Sequence, residues 1–502
     1  MKHSTLQLFN LSTLASAAVA ALCAATAGAA DVSDVIVRQQ WPWSTDIKVE
    51  FKLFGVSPSA PVTVNVEAFD GDTPLDSSNL KAAIVGDLWG ITESGVHTFV
   101  IKPAVAFGTE RNAIADFKVR LSVTDAPANA ADILYKIVDL DPPYAVTDVR
   151  RRDLYNGKYG SFVTNFSDIA TGWTTSLDDV LIWTGVTEDD TYKTNKMVFR
   201  RIPAAGKSFQ FQKGVTAATN AYYTAGQGIK VSFEKDFYIG VFEVTQAQFM
   251  KIAHSVVYSN FYFTNQLYSA TRPADQVPDR PGGDSDILAV RRYWAGVWPN
   301  DRTHKAPLAR YKQIMHSMQY KTGLLVDTPT EAMWEYACRA GTDTWKYSGQ
   351  SGSLAYGDGF INNAAWSYNN SRSGYTGGNN AGKNSDLSKG SHTVGALKPN
   401  AFGLYDMIGN IAEWCLGAWV APENLWKEPC YSQEDNLDPV GRTSGTISYN
   451  TQIVARGYGW TDNAPSSGSM ARICWYPSYN GAQCGVRLCI YLTEHDDGTF
   501  TR

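Results

Sequence analysis

The sequence of 502 residues lacks the short motifs that most directly reveal a chemistry. It has no Gly-x-Ser-x-Gly elbow of a serine hydrolase, no His-Glu-x-x-His helix of a zinc protease and no glycine-rich phosphate loop. No two cysteines form a Cys-x-x-Cys pair, which argues against a zinc ribbon or a thioredoxin-like redox site. The formal net charge of -5 gives the chain no overall basic character, so nucleic acid is not an expected partner.

Long apolar runs are missing after residue 30, and no transmembrane segment is predicted there. Residues 1–30 begin with a lysine at position 2, continue through an alanine-rich apolar stretch and end in small residues. This is the pattern of a secretory signal peptide. We therefore expect a secreted or periplasmic protein, and the pattern is compatible with either location.

Cysteine is scarce, with 7 residues in the whole chain. One of them, Cys23, lies in the predicted signal peptide. The others form an even-numbered set, which favours disulfide bonds in an exported protein. The disulfide candidates are Cys338, Cys415, Cys430, Cys474, Cys484 and Cys489, and the count leaves their pairing open.

Strand-like alternation is present in the first third of the sequence. Apolar and polar residues alternate over 47–53, 62–66 and 117–123, which predicts half-buried β-strands. Turn-forming clusters between these runs favour an antiparallel all-β, sandwich-like domain, for which a role as a spacer or assembly module is expected. The predicted division of the chain is a signal peptide 1–30, the β-sandwich-like domain 31–143, a connector 144–196, a second domain 197–490 and a C-terminal tail 491–502.

Two helix starts are predicted in the second domain. Thr245 and Gln248 stand at the spacing of a capping box, and so do Thr328 and Glu331, with a proline at the tolerated first helical position between them. Gly341 is expected to end the second helix.

Five segments of this domain occur in the order typical of one family. They are Glu243-Val-Thr-Gln, Pro329-Thr-Glu-Ala-Met-Trp-Glu-Tyr-Ala337, the block from Asn400 to Trp414, Arg456-Gly-Tyr-Gly-Trp460 and Gly485-Val-Arg487. Over about residues 197–490 the chain therefore resembles the formylglycine-generating enzyme, or sulfatase-modifying factor, family. The resemblance implies an α+β, C-type-lectin-like fold with little regular secondary structure that is usually stabilised by calcium.

The same resemblance implies metal ligands. The carboxylates of Asp406 and Glu413, with the carbonyls of Gly409 and Ile411, would form one calcium site, in keeping with the preference of Ca²⁺ for carboxylate and carbonyl oxygens. A second site would map to Asp386 and Ser388. Taken alone, Asp406 and Glu413 would more simply be solvated or capping carboxylates, and it is the intact family motif that favours calcium.

Copper, the metal of the family's oxidases, is not expected. The oxidases bind it through two cysteines in a loop that corresponds here to residues 461–471, and this segment contains no cysteine. Soft thiolates hold Cu(I), and the oxygen-bearing side chains present are poor substitutes. Whether the chain is an enzyme therefore stays open. The resemblance also implies a disulfide between Cys338 and a cysteine near position 489.

The favoured hypothesis is an exported, calcium-stabilised, lectin-like module that is not catalytic and binds a protein, a peptide or a glycan. Its predicted ligand-binding residues are Trp460, Asp462, Asn463, Arg472 and Trp475, because aromatic, asparagine and serine-rich loops suit adaptable recognition. One alternative is an oxygen-dependent, formylglycine-generating or related oxidoreductase that modifies a partner sulfatase. Another is a structural component of an envelope or extracellular assembly. The ligand and the oligomeric state are not readable from the sequence.

Overall fold

The computed structural model describes most of the chain between residues 30 and 492. The described residues are 30–39, 44–76, 78–107, 114, 116–213, 228–253, 270–275, 277, 314–351, 359–371, 390–419, 436–437, 452–462, 468–476, 478–479 and 484–492. Residues 1–29 of the predicted signal peptide and all of the predicted tail except residues 491–492 lie outside these ranges, as do the candidates Asp386, Ser388, Cys430 and Asn463. No helix within them is long and apolar enough to cross a membrane.

The chain divides into two compact units, and the predicted connector 144–196 is split between them. The first unit takes residues 1–134 and 149–161, and the second takes residues 135–148 and 162–502. Residues 135–148 thus belong to the second unit, although they precede the start predicted for the second domain.

The first unit is built mainly from strands. These are β1 Asp31–Gln39, β2 Ile47–Phe54, β3 Val62–Asp70, β4 Thr73–Pro74, β5 Ile84–Gly86, β6 Gly95–Ile101 and β7 Phe117–Asp125, with the short helices α1 Leu80–Ala83, α2 Pro103–Ala106 and α3 Arg151–Tyr155.

The strands form a four-stranded sheet in the order β1-β2-β6-β5 and a three-stranded sheet in the order β4-β3-β7. All their pairings are antiparallel. β2, β3 and β7 form where the sequence alternates, and the apolar residues of β2 at Val49, Phe51 and Leu53 are buried. A single hydrophobic cluster contains side chains from both sheets. The alternation therefore located the strands and the buried face of β2.

The second unit mixes strands and helices. Its strands are β8 Ile133–Asp139, β9 Val146–Arg150, β10 Phe162–Val163, β11 Ile182–Trp183, β12 Lys196–Ile202, β13 Ser208–Phe211, β14 Ile229–Ser232, β15 Phe237–Gly240, β16 Val326–Asp327, β17 Ala412–Ala418, β18 Asn436–Leu437, β19 Ile453–Arg456, β20 Arg472–Trp475, β21 Cys484–Gly485 and β22 Cys489–Tyr491, the ends of β8 and β9 reaching into the first unit. Its helices are α4 Thr191–Thr194, α5 Gln246–Ala253, α6 Ile314–Thr322, α7 Glu331–Arg339, α8 Gly359–Ala364 and α9 Tyr368–Ser371.

The two largest sheets of the described part of this unit have six and four strands. A six-stranded sheet has the order β16-β22-β15-β12-β8-β9, and a four-stranded sheet has the order β20-β19-β17-β21. Helix α7 packs near β17 and β19, and its Trp334 is fully buried. Short strands, short helices and long connections make this an α+β unit with little regular secondary structure, as the sequence led us to expect.

One of the two predicted helix starts is confirmed. The backbone N–H of Thr245 donates to the Gln248 side chain at 3.0 Å, and the N–H of Gln248 donates to the Thr245 hydroxyl at 3.2 Å. These reciprocal bonds are the capping box.

The other start was placed two residues too early. The hydroxyl that caps α7 belongs to Thr330, which accepts from the N–H of Met333, and not to Thr328. Pro329 precedes the helix, and its carbonyl accepts from the N–H of Leu416. The helix ends as predicted, with Ala340 and Gly341 in left-handed conformations.

The cysteines show no disulfide bond among the described residues. Cys338, Cys474 and Cys489 are free thiols in the described part of the chain, and Cys338, Cys415, Cys484 and Cys489 are buried. The expected bridge between Cys338 and Cys489 is therefore not formed in the structure, although both side chains belong to the same hydrophobic cluster.

Arg487 joins the parts of the second unit. Its guanidinium is fully buried and donates to the carbonyls of Gly240, Val241 and Tyr405 at 2.9, 3.0 and 2.7 Å. It also forms an ion pair with Glu413 at 2.7 Å. One side chain thus links the end of β15, the segment before Asp406 and strand β17.

Replacing Arg487 by methionine should lower the free energy of unfolding by about 3–5 kcal/mol, because Glu413 would be left as a buried charge without its partner. Chemical denaturation of the purified variant measures this change. The matched control is Arg201→Met, whose arginine is 37% exposed in its pair with Asp236 and should cost about 1 kcal/mol or less. Equal losses in the two variants would contradict the central role of Arg487.

Candidate functional site

Three buried carboxylates lie around Arg487. Glu243, Asp406 and Glu413 are each at most 2% exposed, and we call them the carboxylate cluster. The turn that places Asp406 and Glu413 needs unusual backbone angles, with positive φ at Asp406, Gly409 and Asn410. A side chain at position 409 would collide with the backbone of residue 366, so glycine is required there.

Glu413 is fully engaged by the protein. Its Oε1 accepts from the Nε of Arg487 at 2.9 Å, and its Oε2 accepts from the indole Nε1 of Trp334 at 2.6 Å. The second guanidinium nitrogen of Arg487 adds the ion pair already described. These bonds leave the carboxylate little capacity for another ligand.

Asp406 differs, because one of its oxygens has no partner. Its Oδ2 accepts from the N–H of Gly395 at 2.7 Å, whereas its Oδ1 is buried and without a hydrogen bond in the structure. Burial raises the pKa of this carboxyl from 3.8 to about 6, although the N–H of Gly395 and the positive charge of Arg487 both lower it, and the negative charge of Glu413 adds to the rise. A buried acceptor of this kind is costly unless a cation, a proton or a water satisfies it.

Glu243 is the third member of the carboxylate cluster. It accepts from the N–H of Ile411 at 3.0 Å and from the side-chain amide of Asn410 at 2.6 Å. Burial and the negative charges of Asp406 and Glu413 hold its pKa well above the usual value. The family motif contained Glu243, but its sequence position did not show that it faces Asp406.

The cluster fits calcium in part. Three carboxylates against one guanidinium leave excess negative charge, and Asp406 offers an oxygen to a cation. Glu413, the other predicted side-chain ligand, is committed to Arg487 and Trp334. Across the ranges that the structure describes, no group of three His, Cys, Asp or Glu side chains could hold a metal ion, so a calcium site here would depend on backbone carbonyls.

A second buried network contains Arg472, one of the predicted ligand-binding residues. Arg456 binds Glu331 at 3.0 Å and Glu335 at 2.6 Å, and its charge lies over the ring of Trp334 at 5.1 Å. Arg472, a predicted ligand-binding residue, is 4% exposed and pairs with Glu331 through two of its nitrogens. The structure places Arg472 in the core, where the ion pair with Glu331 occupies it.

The other predicted ligand-binding residues that the structure describes differ in their burial and in their contacts. Trp460 is 3% exposed, and its N–H donates to the carbonyl of Asn410. Asp462 is half-buried, and its Oδ2 accepts from the N–H of Gly459 at 2.9 Å. Trp475 is half-buried at the end of β20 and stacks on Tyr479 with ring centroids 4.7 Å apart. Tyr476, which lies between these two residues in the sequence, is 54% exposed.

Sequence reasoning missed a further group of polar residues. The rings of Trp366 and His392 stack with centroids 3.7 Å apart, and Arg272 and Asp275 lie in a segment that pairs with residues 393–394. Asp275 is 7% exposed, and its Oδ1 has no hydrogen-bond partner. No spacing rule joins these positions, since they are brought together only by the fold.

Comparison with known proteins gives a consistent result. A model of the sulfatase-modifying factor enzyme 1-like domain matches residues 205–492. The formylglycine-generating enzyme of Mus musculus is 26% identical over 230 residues, which are 42% of this chain and 54% of that protein. The chain thus spans about half the length of that relative.

Two further proteins that are similar to this chain carry different names. A protein of Paenibacillus barcinonensis called chaperone protein LppX is 27% identical over 220 residues, 38% of this chain and 67% of that protein. Among solved structures, PvdO from Pseudomonas aeruginosa is 20% identical with a TM-score of 0.40, covering 59% of this chain and 94% of that chain.

Asp275 should make stability depend on pH. Burial raises the pKa of its carboxyl from 3.8 to about 7, so the folded chain holds a proton more tightly than the unfolded chain. The resulting stabilisation is complete below pH 3.8 and is lost as the pH rises through about 7.

Relative to the Asp275→Asn variant, the unmodified protein should therefore lose up to about 4 kcal/mol in free energy of unfolding over this range. Urea unfolding at a series of pH values compares the two proteins. Parallel pH profiles of the two proteins would contradict the raised pKa of the buried Asp275 carboxyl.

Proposed function

Because the chain belongs to the family of the sulfatase-modifying factor enzyme 1-like domain, we propose that it uses this fold as an exported, non-catalytic, calcium-stabilised binding module for a protein, peptide or glycan. The observation that carries the proposal is an aromatic surface formed by Trp475, Tyr476 and Tyr479.

The aromatic surface has the properties of a recognition site. Trp475 and Tyr479 stack at an interplanar angle of 20°, and Trp475 also packs edge-on against the buried Trp414 at 5.7 Å. The rings are therefore held in position before a ligand arrives. Large, rigid aromatic side chains give contact area at a low cost in conformational entropy, and their faces suit sugar rings and peptide side chains.

The state of the cysteines supports a role without copper chemistry. Residues 461–471 contain no cysteine. Burial raises the pKa of the thiols of Cys338, Cys474 and Cys489. Because the thiolate is the form that binds copper, these cysteines are poor candidates for a Cu(I) site.

A formylglycine-generating or related oxidase is the second candidate, favoured by the similarity to the mouse enzyme. It would need metal ligands outside residues 461–471. Stoichiometric copper in the purified protein, together with oxygen uptake that depends on a cysteine-containing sulfatase peptide, would replace the binding module by this candidate.

Calcium would act as a structural ion in the proposed module. Asp406 would supply the side-chain oxygen through its unpartnered Oδ1, and the carbonyls of Gly409 and Ile411 are the backbone ligands that the family resemblance implies. A bound cation would offset the excess negative charge of the carboxylate cluster. Export is proposed from the signal-peptide pattern of residues 1–30.

Removal of calcium should lower stability by about 2–3 kcal/mol for a site that is about 99% occupied, because the ion binds only the folded chain. Thermal melting with and without a chelator measures this, with calcium and magnesium re-added separately. In the Asp406→Asn variant the chelator should have little further effect. Unchanged melting of the unmodified protein would remove calcium from the proposal.

Truncation of Trp475 to alanine should weaken ligand binding by about 10-fold or more, since a buried aromatic contact is a typical hot spot. The ligand is found on glycan and peptide arrays and its affinity is then measured by calorimetry. Tyr320→Ala is the matched control, because Tyr320 is an aromatic residue that is 55% exposed on α6. An equal affinity of both variants and the unmodified protein would refute the aromatic surface as the binding site.

A further inference from the structure

The stacked pair of Trp366 and His392 has features of a second binding site. Their rings are nearly parallel, with an interplanar angle of 18° and centroids 3.7 Å apart. Both side chains are half-buried. The pair lies beside the segment that contains Trp460 and Asp462, since the N–H of Tyr368 donates to the carbonyl of Asp462 at 2.9 Å.

Asn410 holds the backbone of both residues of the pair. Its N–H donates to the carbonyl of Trp366 at 2.8 Å, and its side-chain oxygen accepts from the N–H of His392 at 2.8 Å. Its side-chain amide donates to the buried Glu243. The stacked pair is thus anchored to the carboxylate cluster through one residue and is positioned without a ligand.

The two rings present polar atoms that the protein does not satisfy. Trp366 Nε1 and His392 Nε2 are both buried and have no hydrogen-bond partner in the structure. The indole N–H is a buried donor without a partner, which costs about 1–3 kcal/mol, and His392 Nε2 is a second donor in the tautomer that carries its proton there. A bound molecule that accepts from both would satisfy the pair.

The surrounding charge selects the kind of molecule. Burial lowers the pKa of the His392 imidazole to about 4, and the positive charge of Arg272, which is close enough to act on the ring, adds to this effect. The ring is therefore neutral at physiological pH and has one N–H to donate. The field of Arg272 favours a negative ligand, while the neighbouring Asp275 offsets part of that charge and disfavours a doubly charged one.

We propose that Trp366 and His392 bind a carboxylate, with one oxygen accepting from the indole Nε1–H and the other from the imidazole Nε2–H, and with Arg272 supplying the positive field. Two fixed N–H donors match a planar, singly charged group with two acceptor oxygens. The carboxylate would come from a peptide or an acidic sugar. This site is separate from the aromatic surface, and the proposal does not depend on that surface.

Nuclear magnetic resonance of the full chain with ¹⁵N-labelled tryptophan tests the site. The resonance of the Trp366 indole N–H is identified by its loss in Trp366→Phe, which keeps a ring for the stack but removes the donor. Sodium acetate is titrated at constant ionic strength, with sodium chloride and neutral acetamide in parallel. We expect a saturable shift of this resonance with acetate alone, and at least 10-fold weaker acetate binding in His392→Phe.

The indole of Trp345 is the internal control, because its Nε1 is also buried and unpartnered but lies in the hydrophobic core. Its resonance should not move. Equal responses to acetate and chloride would mean an adventitious ion only, and an equal response to acetamide would mean a neutral ligand. Either result, or the absence of any saturable shift while both variants melt like the unmodified protein, would overturn the carboxylate site.

Once the site is established with acetate, its source can be distinguished. A peptide ending in a free carboxylate and the same peptide with an amidated end are compared with glucuronate. Stronger binding of the free peptide or of glucuronate than of acetate identifies the natural class. If all bind no better than acetate, recognition of either class at this site is refuted.

Discussion

The second unit depends on the buried guanidinium of Arg487. Three of its hydrogen bonds go to backbone carbonyls on two distant segments, and its ion pair goes to Glu413. A charge of this kind is stable in the core only when every donor has a partner, so the segments around it are held to one arrangement. Burial raises the pKa values of Asp406 and Glu243, and the single positive charge of Arg487, shared among three carboxylates, does not fully offset this. Asp406 therefore favours a cation or a proton at its unpartnered oxygen.

Helix α7 connects this centre to a second set of buried charges. The indole N–H of Trp334 donates to Glu413, while the face of its ring lies under the guanidinium of Arg456. Arg456 in turn holds Glu331 and Glu335 on the same helix. Because the two networks share Trp334, a change in either is expected to alter the stability of the other.

The burial of charged and aromatic residues limits which side chains can contact a ligand. Arg472 and Trp460 have the chemistry of ligand contacts, but ion pairing and burial commit them to the core. Recognition in our proposal therefore falls to groups at the margin of that core. These are the aromatic surface at the end of β20 and the stacked pair of Trp366 and His392, in which Trp366 Nε1 and His392 Nε2 have no hydrogen-bond partner among the described residues.

The sequence by itself determined what depends on near neighbours in the chain. Strand alternation located β2, β3 and β7, a capping box located α5, and an ordered series of motifs identified the family and its α+β fold. The tertiary structure decided the rest, including the cap of α7 at Thr330, the commitment of Glu413 to Arg487 and the position of Asp275. The reason is that caps and alternation act over two to four residues, whereas Glu413 and Arg487 are 74 residues apart and meet only when both are buried.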